Sequence, residues 1–599
     1  MSTVPAKHPV LETPEPRTGA PARSWRRSIQ GVLAGLVPGA TFWRAVSATL
    51  GQREPARIAA YVVLSVGAAL AGSLAALCLV PLVQPHPSPA FGHALLGGYA
   101  DVEVQAAAFA IATTSFALLR WQVARLGAGL ISRCGMNLRR AVHARLIDAP
   151  LNELADATSA EIANVLTYNV EILVQGFGAL LQLAVIGVTT AVTLAFAFWV
   201  SPALMLAAPI ALGLGLLAAR AFGREQSAVS RQYVTDMTRL FWLSEDFPRR
   251  LRYVRSFERQ GAEKAGYGAI SARLGLGYRR QLELVATGRL LLELVAAAGI
   301  AGVFVLADRW HGIDRASLIA ISLLFGRLLP YLVSTRQSYQ QLRSAAPALE
   351  LWQRHMHRHS DPLPAVPARA LAVGDVITID RLRLRGPLDA LSVHGLVLAP
   401  GELTLISGDS GIGKSSLVDI LAGMTQPADF GAWVGERAID FDGYRALVRN
   451  GAYLSQSVRP WQHTVRECLA WAAPEASEQS MLDVLEEVGL GRWLAVARNG
   501  LDAALSDSSS RLSGGELQRL MLAQVMLRQP LLAVLDEATG ALDAASELSV
   551  LSALRERLSR SILVVVSHRA SVAMLANQHL VIGKDLAARV SRGRGSEVA

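Results

Sequence analysis

The 599-residue chain is 52% hydrophobic with a mean hydropathy of +0.32, too long for one domain and too apolar for a wholly soluble protein. Its net charge of +10 raises nucleic acid as a partner, but the arginines are spread over loops that flank apolar runs, and membrane topology accounts for them, so no nucleic-acid partner is expected. The three cysteines, Cys78, Cys134 and Cys468, lie far apart and form no metal or disulfide pattern.

Residues 1–50 are rich in Pro, Ala and Arg, contain no run that reads as a signal peptide, and read as a cytoplasmic N-terminal segment and elbow, with Arg23, Arg26 and Arg27 holding this end inside. Six apolar runs follow: Ile58 to Val83, Val104 to Leu119 with its flanks, Leu173 to Val200, Ala203 to Ala219 after a break at Ser201-Pro202, Leu290 to Ala307, and Ala316 to Thr335. Each is near the roughly 20 residues that cross a bilayer. Long polar-punctuated helical stretches join spans two to three and four to five. The stretch from Arg120 to Arg145 carries six arginines and the loop from Gln84 to Glu103 has no Lys or Arg, so both hairpins face the cytoplasm. Glu293 and Arg327 fall inside spans five and six; either they face a cavity as substrate contacts, or Glu293 pairs with Arg289 one turn away or a charge snorkels. Pro330 predicts a kink in the sixth span. His355, His357 and His359 alternate in a stretch expected to be a solvated basic linker, with a weak metal site as the alternative, and Asp361 to Pro367 marks a domain boundary.

Beyond that boundary the character changes. Leu403 to Ser407 reads as a buried strand, and Gly408-Asp409-Ser410-Gly411-Ile412-Gly413-Lys414-Ser415 is a complete phosphate loop whose glycines let successive N–H groups turn toward phosphate oxygens. Lys414 reaches the β and γ phosphates, Ser415 is placed to ligate Mg²⁺, and Ser416 is ordinary helix surface or support. Leu531 to Leu535 is a second buried strand ending in Asp536, a Mg²⁺ holder, and Glu537, a general base for the attacking water; the bland alternative is a solvated strand-end pair. A third, Ser561 to Val566, precedes His568, placed to contact a γ phosphate.

The segment Leu512-Ser513-Gly514-Gly515-Glu516, between phosphate loop and Asp-Glu strand, makes this sequence resemble the ATP-binding cassette transporters. The resemblance implies that Ser513, Gly514 and Gly515 of one cassette close over ATP held by the phosphate loop of a second, with Glu516 in place of the commoner glutamine and suited to the helix dipole. Gln456 matches the family glutamine that touches Mg²⁺ and relays nucleotide state, and Gly540 to Asp543 matches the loop at the dimer interface, with Asp543 retained. No aromatic residue lies between Pro362 and Leu403 to stack on adenine, which leaves Arg383 or Arg385 for that role. Ala576-Asn577-Gln578-His579 replaces the usual alanine-aspartate pair. Leu151 to Asp156 and Ser244 to Arg249 fall where the family places short docking helices, and Arg252 to Phe257 resembles the segment after the second; plain helix breaks are the alternative.

The fold class is thus a six-span α-helical transmembrane domain (51–350), a linker (351–370), and an α/β phosphate-loop ATPase cassette (371–599). The resemblance implies an exporter-type half-transporter in the cytoplasmic membrane, working as a homodimer, with a heterodimer as the alternative, using ATP and Mg²⁺ and in contact with membrane lipid. The preferred cargo is amphipathic, with a small mature peptide favoured by the charged residues in the spans together with the lack of room in residues 1–50 for a leader-trimming protease; a lipid flippase or multidrug exporter is the alternative. An ATP-gated channel or sensor is the rival of another class, and an importer a weaker one.

Overall fold

The computed structural model describes residues 38–83 apart from 50 and 52, 101–200 apart from 155 and 156, 223–309 apart from 246, 315–361, 376–505 apart from 387–390 and 498, 512–583, and 588–592. The expected fourth span at 203–219, the arginines of the N-terminal segment, most of the 84–103 loop and the prolines of 362–367 lie outside the described residues. The chain divides into two compact units, one of residues 1–147 and 157–358, the other of residues 148–156 and 359–599.

The first unit is helical. Its elements are α1 (Pro38–Ser47), α2 (Glu54–Val83), α3 (Val102–Ile147), α5 (Ser159–Asn164), α6 (Val170–Val200), α7 (Gly223–Glu245), α8 (Phe247–Ser256), α9 (Gln260–Arg309) and α10 (Arg315–Met356), with the single turn α4 (Leu151–Leu154) belonging to the second unit. Four helical stretches among the described residues are long and apolar enough to cross a membrane: Glu54–Val80, Val102–Ile147, Ser159–Val200 and Ile319–Met356. The expected fifth span lies inside the continuous 50-residue α9. Pro55 sits in the first turn of α2, where its missing N–H costs no bond. Glu54 beside it is buried and joins α2 to α3 through Arg133 at 3.2 Å, with Arg57 at 2.7 Å. A π-helical turn, Val165–Asn169, inserts between α5 and α6, and the buried Asn164 amide on its threshold donates to Thr238 Oγ1 of α7 at 3.1 Å.

Of the two charged residues singled out in these helices, Glu293 is paired, whereas both Nη atoms of Arg327 are buried without a hydrogen-bond partner among the described residues. Arg289 Nε donates to Glu293 Oε1 at 2.8 Å, one turn apart on an exposed face. Arg327 lies over the Phe116 ring at 4.7 Å, in a notch that exists because Gly72 has no side chain. Helix α10 carries Pro330 and Pro347 and runs unbroken to Met356, so the stretch expected as linker begins as helix. His355 is not in a solvated linker: it is fully buried, with Nε2 3.3 Å from Glu161 Oε1, because α10 continues past it. His359, in contrast, is exposed. No cluster of three or more His, Cys, Asp or Glu able to hold a metal occurs among the described residues.

The second unit is an α/β cassette. A four-stranded antiparallel sheet has the order β2 (Ser392–Leu398), β1 (Ile377–Arg383), β4 (Asp429–Val434), β5 (Arg437–Ile439). A six-stranded sheet has the order β10 (Ala588–Arg592), β9 (Gln578–Ile582), β3 (Leu403–Gly408), β8 (Ile562–Val566), β7 (Leu532–Asp536), β6 (Ala452–Ser455), parallel except at β10. Alternation along its strands feeds two cores: Ile562, Val564 and Val566 of β8 pack into one, Leu563 and Val565 into the other. The helices are α11 (Lys414–Leu421), α12 (Phe441–Val448), α13 (Val465–Ala472), α14 (Glu478–Glu487), α15 (Gly491–Val496), α16 (Gly514–Arg528), α17 (Ala544–Arg557) and α18 (Ala570–Ala573). Within this unit the 148–156 segment is tied in through residues 359–361: His359 N donates to Glu153 Oε2 at 3.1 Å and Asp361 N to Asp148 O at 2.8 Å. Asp361 then pairs with the buried Arg445 of α12 at 2.8 Å.

In the helical unit, α6 and α10 meet where Gly176 lets a Cβ-free backbone approach; a Cβ there would stand 2.7 Å from Ala345 Cβ and 3.1 Å from Phe42. Gly176→Val is therefore expected to destabilise this unit by about 1–3 kcal/mol through overpacking, read as a lower thermal-unfolding midpoint of the detergent-solubilised protein.

Candidate nucleotide site

Parallel pairing sets the site. Ile406 of β3 and Asp536 of β7 both register with Val566 of β8, so the three strands end together on one edge of the sheet. The loop from β3 to α11, the Asp536-Glu537 pair and His568 all leave from that edge. Gly408, Gly411 and Gly413 have positive φ of 154°, 79° and 105°, values that side-chain-bearing residues rarely adopt. A Cβ on Gly408 would also approach Ile582 O to 2.8 Å. The result is a run of N–H groups turned inward at the start of α11, the arrangement that accepts phosphate oxygens.

Lys414 opens α11 and its Nζ donates to the carbonyls of Gly408 and Asp409, both at 2.9 Å, which holds the ammonium across the mouth of the loop. Ser415 and Ser416 are exposed on the first turn. Glu537 has a left-handed φ of 52°, and its N–H donates to Val566 O at 3.2 Å. That strained turn sets the carboxylate 3.2 Å from His568 Nε2, with both side chains partly exposed. Gln456 follows β6; its N–H donates to Asp536 O at 3.0 Å, and its amide lies against Gly540. The oxygens of Ser415, Asp536 and Gln456 form a hard donor set of the kind Mg²⁺ takes when substrate phosphates complete its shell.

Tyr453 of β6 adds a contact that the motifs do not contain. Its hydroxyl donates to Asp536 Oδ2 at 3.2 Å. Burial beside Asp419 and Asp536 raises the phenol well above its usual range, and burial likewise raises the Asp419 carboxyl. Tyr453 thus stays a donor and holds Asp536 in one orientation.

Ser513 is the N-cap of α16, with Glu516 completing a capping box: Glu516 N donates to Ser513 Oγ at 3.3 Å and Ser513 N to Glu516 Oε2 at 2.7 Å. The glutamate in place of glutamine has a local job, which either side chain performs. Asp543 caps α17, its carboxylate accepting from Ser546 N at 2.9 Å, and this bond holds its carboxyl below the usual range. The Gly540–Asp543 loop is clasped from behind by residues the sequence reading missed. Arg569 donates to Leu542 O at 2.7 Å and to the buried Glu547 at 3.0 Å, while Ala541 N donates to Gln518 Oε1 at 2.8 Å. No sequence signal marks these contacts, which join residues 22 to 27 positions apart. Asn577 brackets Leu403 with bonds of 2.9 and 3.1 Å and joins β9 to β3, so the atypical Ala576–His579 stretch keeps the sheet closed. Arg385 Nε donates to Pro427 O at 3.1 Å.

The comparisons with known proteins fit this site. The ABC transporter family profile matches residues 391–540 and the ABC transporter transmembrane region matches residues 61–311, together more than half of the chain. The chain is an ATP-binding cassette transporter. Among its curated relatives is an "ATP-dependent lipid A-core flippase" of Burkholderia orbicola (strain AU 1054), 26% identical over 466 residues, covering 75% of this chain and 77% of the relative. The flippase of the same description in Vibrio vulnificus (strain YJ016) is 25% identical over 477 residues, covering 77% and 80%. A solved bacterial Atm1-family ABC exporter with ATP bound superposes with a TM-score of 0.73 over 90% of this chain and 95% of that one; at 19% identity this speaks for the fold. The transporter is thus an ATP-hydrolysing exporter, a multi-pass membrane protein with its ATPase domain in the cytoplasm.

Because either Glu or Gln closes the capping box, Glu516→Gln is expected to leave the ATPase rate of this transporter within about twofold. Glu516→Ala removes half the box, costs about 1 kcal/mol of helix stability at the signature, and lowers steady-state ATP hydrolysis severalfold.

Proposed function

We propose that two copies of this chain form a lipid exporter, in which ATP held at the phosphate loop of one cassette is covered by the Ser513–Glu516 segment of the other. The observation that carries the reading is the pairing of Glu537 with His568 at 3.2 Å beside a complete phosphate loop, on a chain that also bears apolar spanning helices. One chain then supplies every element of a hydrolytic site, so a homodimer has two competent ones.

In this reading Gly408 to Ser415 and Ser416 surround the triphosphate, the loop N–H groups and Lys414 neutralising its charge. Lys414 exchanges its bonds to Gly408 and Asp409 for phosphate oxygens. Ser415, Asp536 and Gln456 would hold Mg²⁺, which would supply charge neutralisation to the triphosphate. Glu537 takes a proton from the attacking water, and His568 orients that carboxylate and meets the γ phosphate. Asp543 stiffens the loop facing the second copy. Closing the cassettes on ATP draws the two hairpins together and turns the cavity outward; hydrolysis resets it. The Leu151–Asp156 and Ser244–Arg249 segments carry that motion, with residues 51–350 as membrane domain and 371–599 as cassette. Arg385 or Arg383 takes the adenine.

For the cargo, lipid is the better reading. The similar curated proteins named above are described as lipid A-core flippases, which favours lipid over the peptide expected from sequence. An intact Glu537 also speaks against a gate or sensor, which can dispense with hydrolysis. In proteoliposomes, ATP is expected to move a labelled lipid between leaflets. Glu537→Gln should lower hydrolysis by about 100-fold or more and stop translocation while ATP binding persists. A lipid that equilibrates equally well with the variant would sink the export reading and favour a gate.

A further inference from the structure

The helical unit contains a cavity of about 410 Å³ walled by α3, α6 and α10 that no nucleotide chemistry explains. Its wall is a polar pattern: Gln175 and Gln182, seven residues apart on α6, face Ser334, Gln337, Ser338 and Gln341 of α10, which recur at the three-, four- and seven-residue spacings of one helix face. Gln175, Gln182 and Gln337 are exposed, and the amides of Gln175, Gln182, Gln337 and Gln341 have no hydrogen-bond partner in the protein among the described residues. An amide turned to hydrocarbon is costly, so this face of two spanning helices looks into a hydrated cavity.

Its chemistry is selective. Each amide both donates and accepts, each serine hydroxyl does the same, and no cation lines the wall. The one charged lining residue is Glu171, which is acidic and held by Arg139 at 3.0 Å. A phosphate or carboxylate would meet a carboxylate and find no lysine or arginine on the wall, whereas hydroxyl groups match the amides in both directions. Depth narrows the choice further. Glu171 and Arg139 place the cavity at the arginine-bearing, cytoplasmic ends of the spans, while from Leu183 to Val200 α6 has no polar side chain larger than threonine. A polar group fits below and an apolar chain beside the helix above.

From this juxtaposition we propose that the cavity receives the uncharged, hydroxyl-bearing headgroup of a lipid from the cytoplasmic leaflet. The proposal rests on the lipid-export reading and names the class of lipid.

The test uses the full-length protein in phosphatidylcholine nanodiscs, titrated with a neutral digalactosyl diacylglycerol, with phosphatidylglycerol, or with a short amphipathic peptide. The glycolipid is expected to stimulate ATP hydrolysis saturably. Gln182→Leu and Gln337→Leu are each expected to raise its half-saturating level by roughly five- to tenfold with unstimulated hydrolysis unchanged. Should one variant fail to assemble, the other, on a different helix, carries the same expectation. The proposal is overturned if the variants respond to glycolipid as the natural chain does, or if only phosphatidylglycerol or only the peptide stimulates. Loss of the dimer in both variants would also overturn it, assigning the face to a second copy. Phosphatidylglycerol stimulation accompanied by its translocation would leave lipid export standing, whereas no translocation of any lipid would remove that reading itself.

Discussion

The constraint on which the nucleotide site depends is that a triphosphate must be neutralised by groups already fixed in place, most of them backbone N–H groups. A parallel sheet meets it by ending neighbouring strands at one edge. Here the register of β3, β8 and β7 around Val566 brings Asp536-Glu537 and His568 to the same edge as a phosphate loop that precedes them by more than a hundred residues. The strands are buried on both faces by two separate cores, so a shift in register would move apolar side chains between cores and break the site with them. Packing and chemistry are therefore set by one alignment.

Around that edge the protein spends conformational strain and buried polar groups only where they orient something. Glu537 sits in a left-handed conformation unusual for a glutamate, and the turn aims its carboxylate at His568. Tyr453 is half-buried against two carboxylates that raise its phenol, so it stays a donor to Asp536. Glu547, nearly inaccessible, is matched by Arg569 and Thr539 and holds the loop before Asp543 from behind. Each of these polar groups has a partner, which for the buried Glu547 its desolvation requires.

The cassette was far more legible in the sequence than the membrane unit. Its strands are short apolar runs ended by glycine or by a carboxylate pair, and its motifs have fixed spacing because phosphate geometry is fixed. The clasp of Arg569, Glu547 and Gln518 was not legible, since it joins residues through the fold rather than along a periodic element. In the membrane unit the apolar runs mark helices but not where those helices end: α9 and α10 continue through polar sequence, which is why His355 is buried within helix rather than solvated in a linker. The π-helical turn at Val165–Asn169 leaves no trace in hydropathy. Glu293 and Arg327 stood out because they are charged, yet one pairs with its helical neighbour and the other stacks on Phe116. The glutamines of α6 and α10, being uncharged, drew no attention, although they form the polar wall.

That contrast follows from what a bilayer penalises. A charge in a spanning helix carries a large penalty, and here it is met by a nearby carboxylate, as for Arg289 with Glu293, or set against a ring, as for Arg327 over Phe116. A row of neutral amides carries a smaller penalty per residue and can be left open wherever water enters. Neutral amides can then bind and release a headgroup without an ion pair to break, and a transporter that turns over repeatedly needs contacts that are sufficient to select and weak enough to let go. Ion pairs fix the scaffold of this membrane unit, through Glu54 with Arg133 and Arg139 with Glu171, and apart from that last carboxylate the polar groups that face the cavity are uncharged.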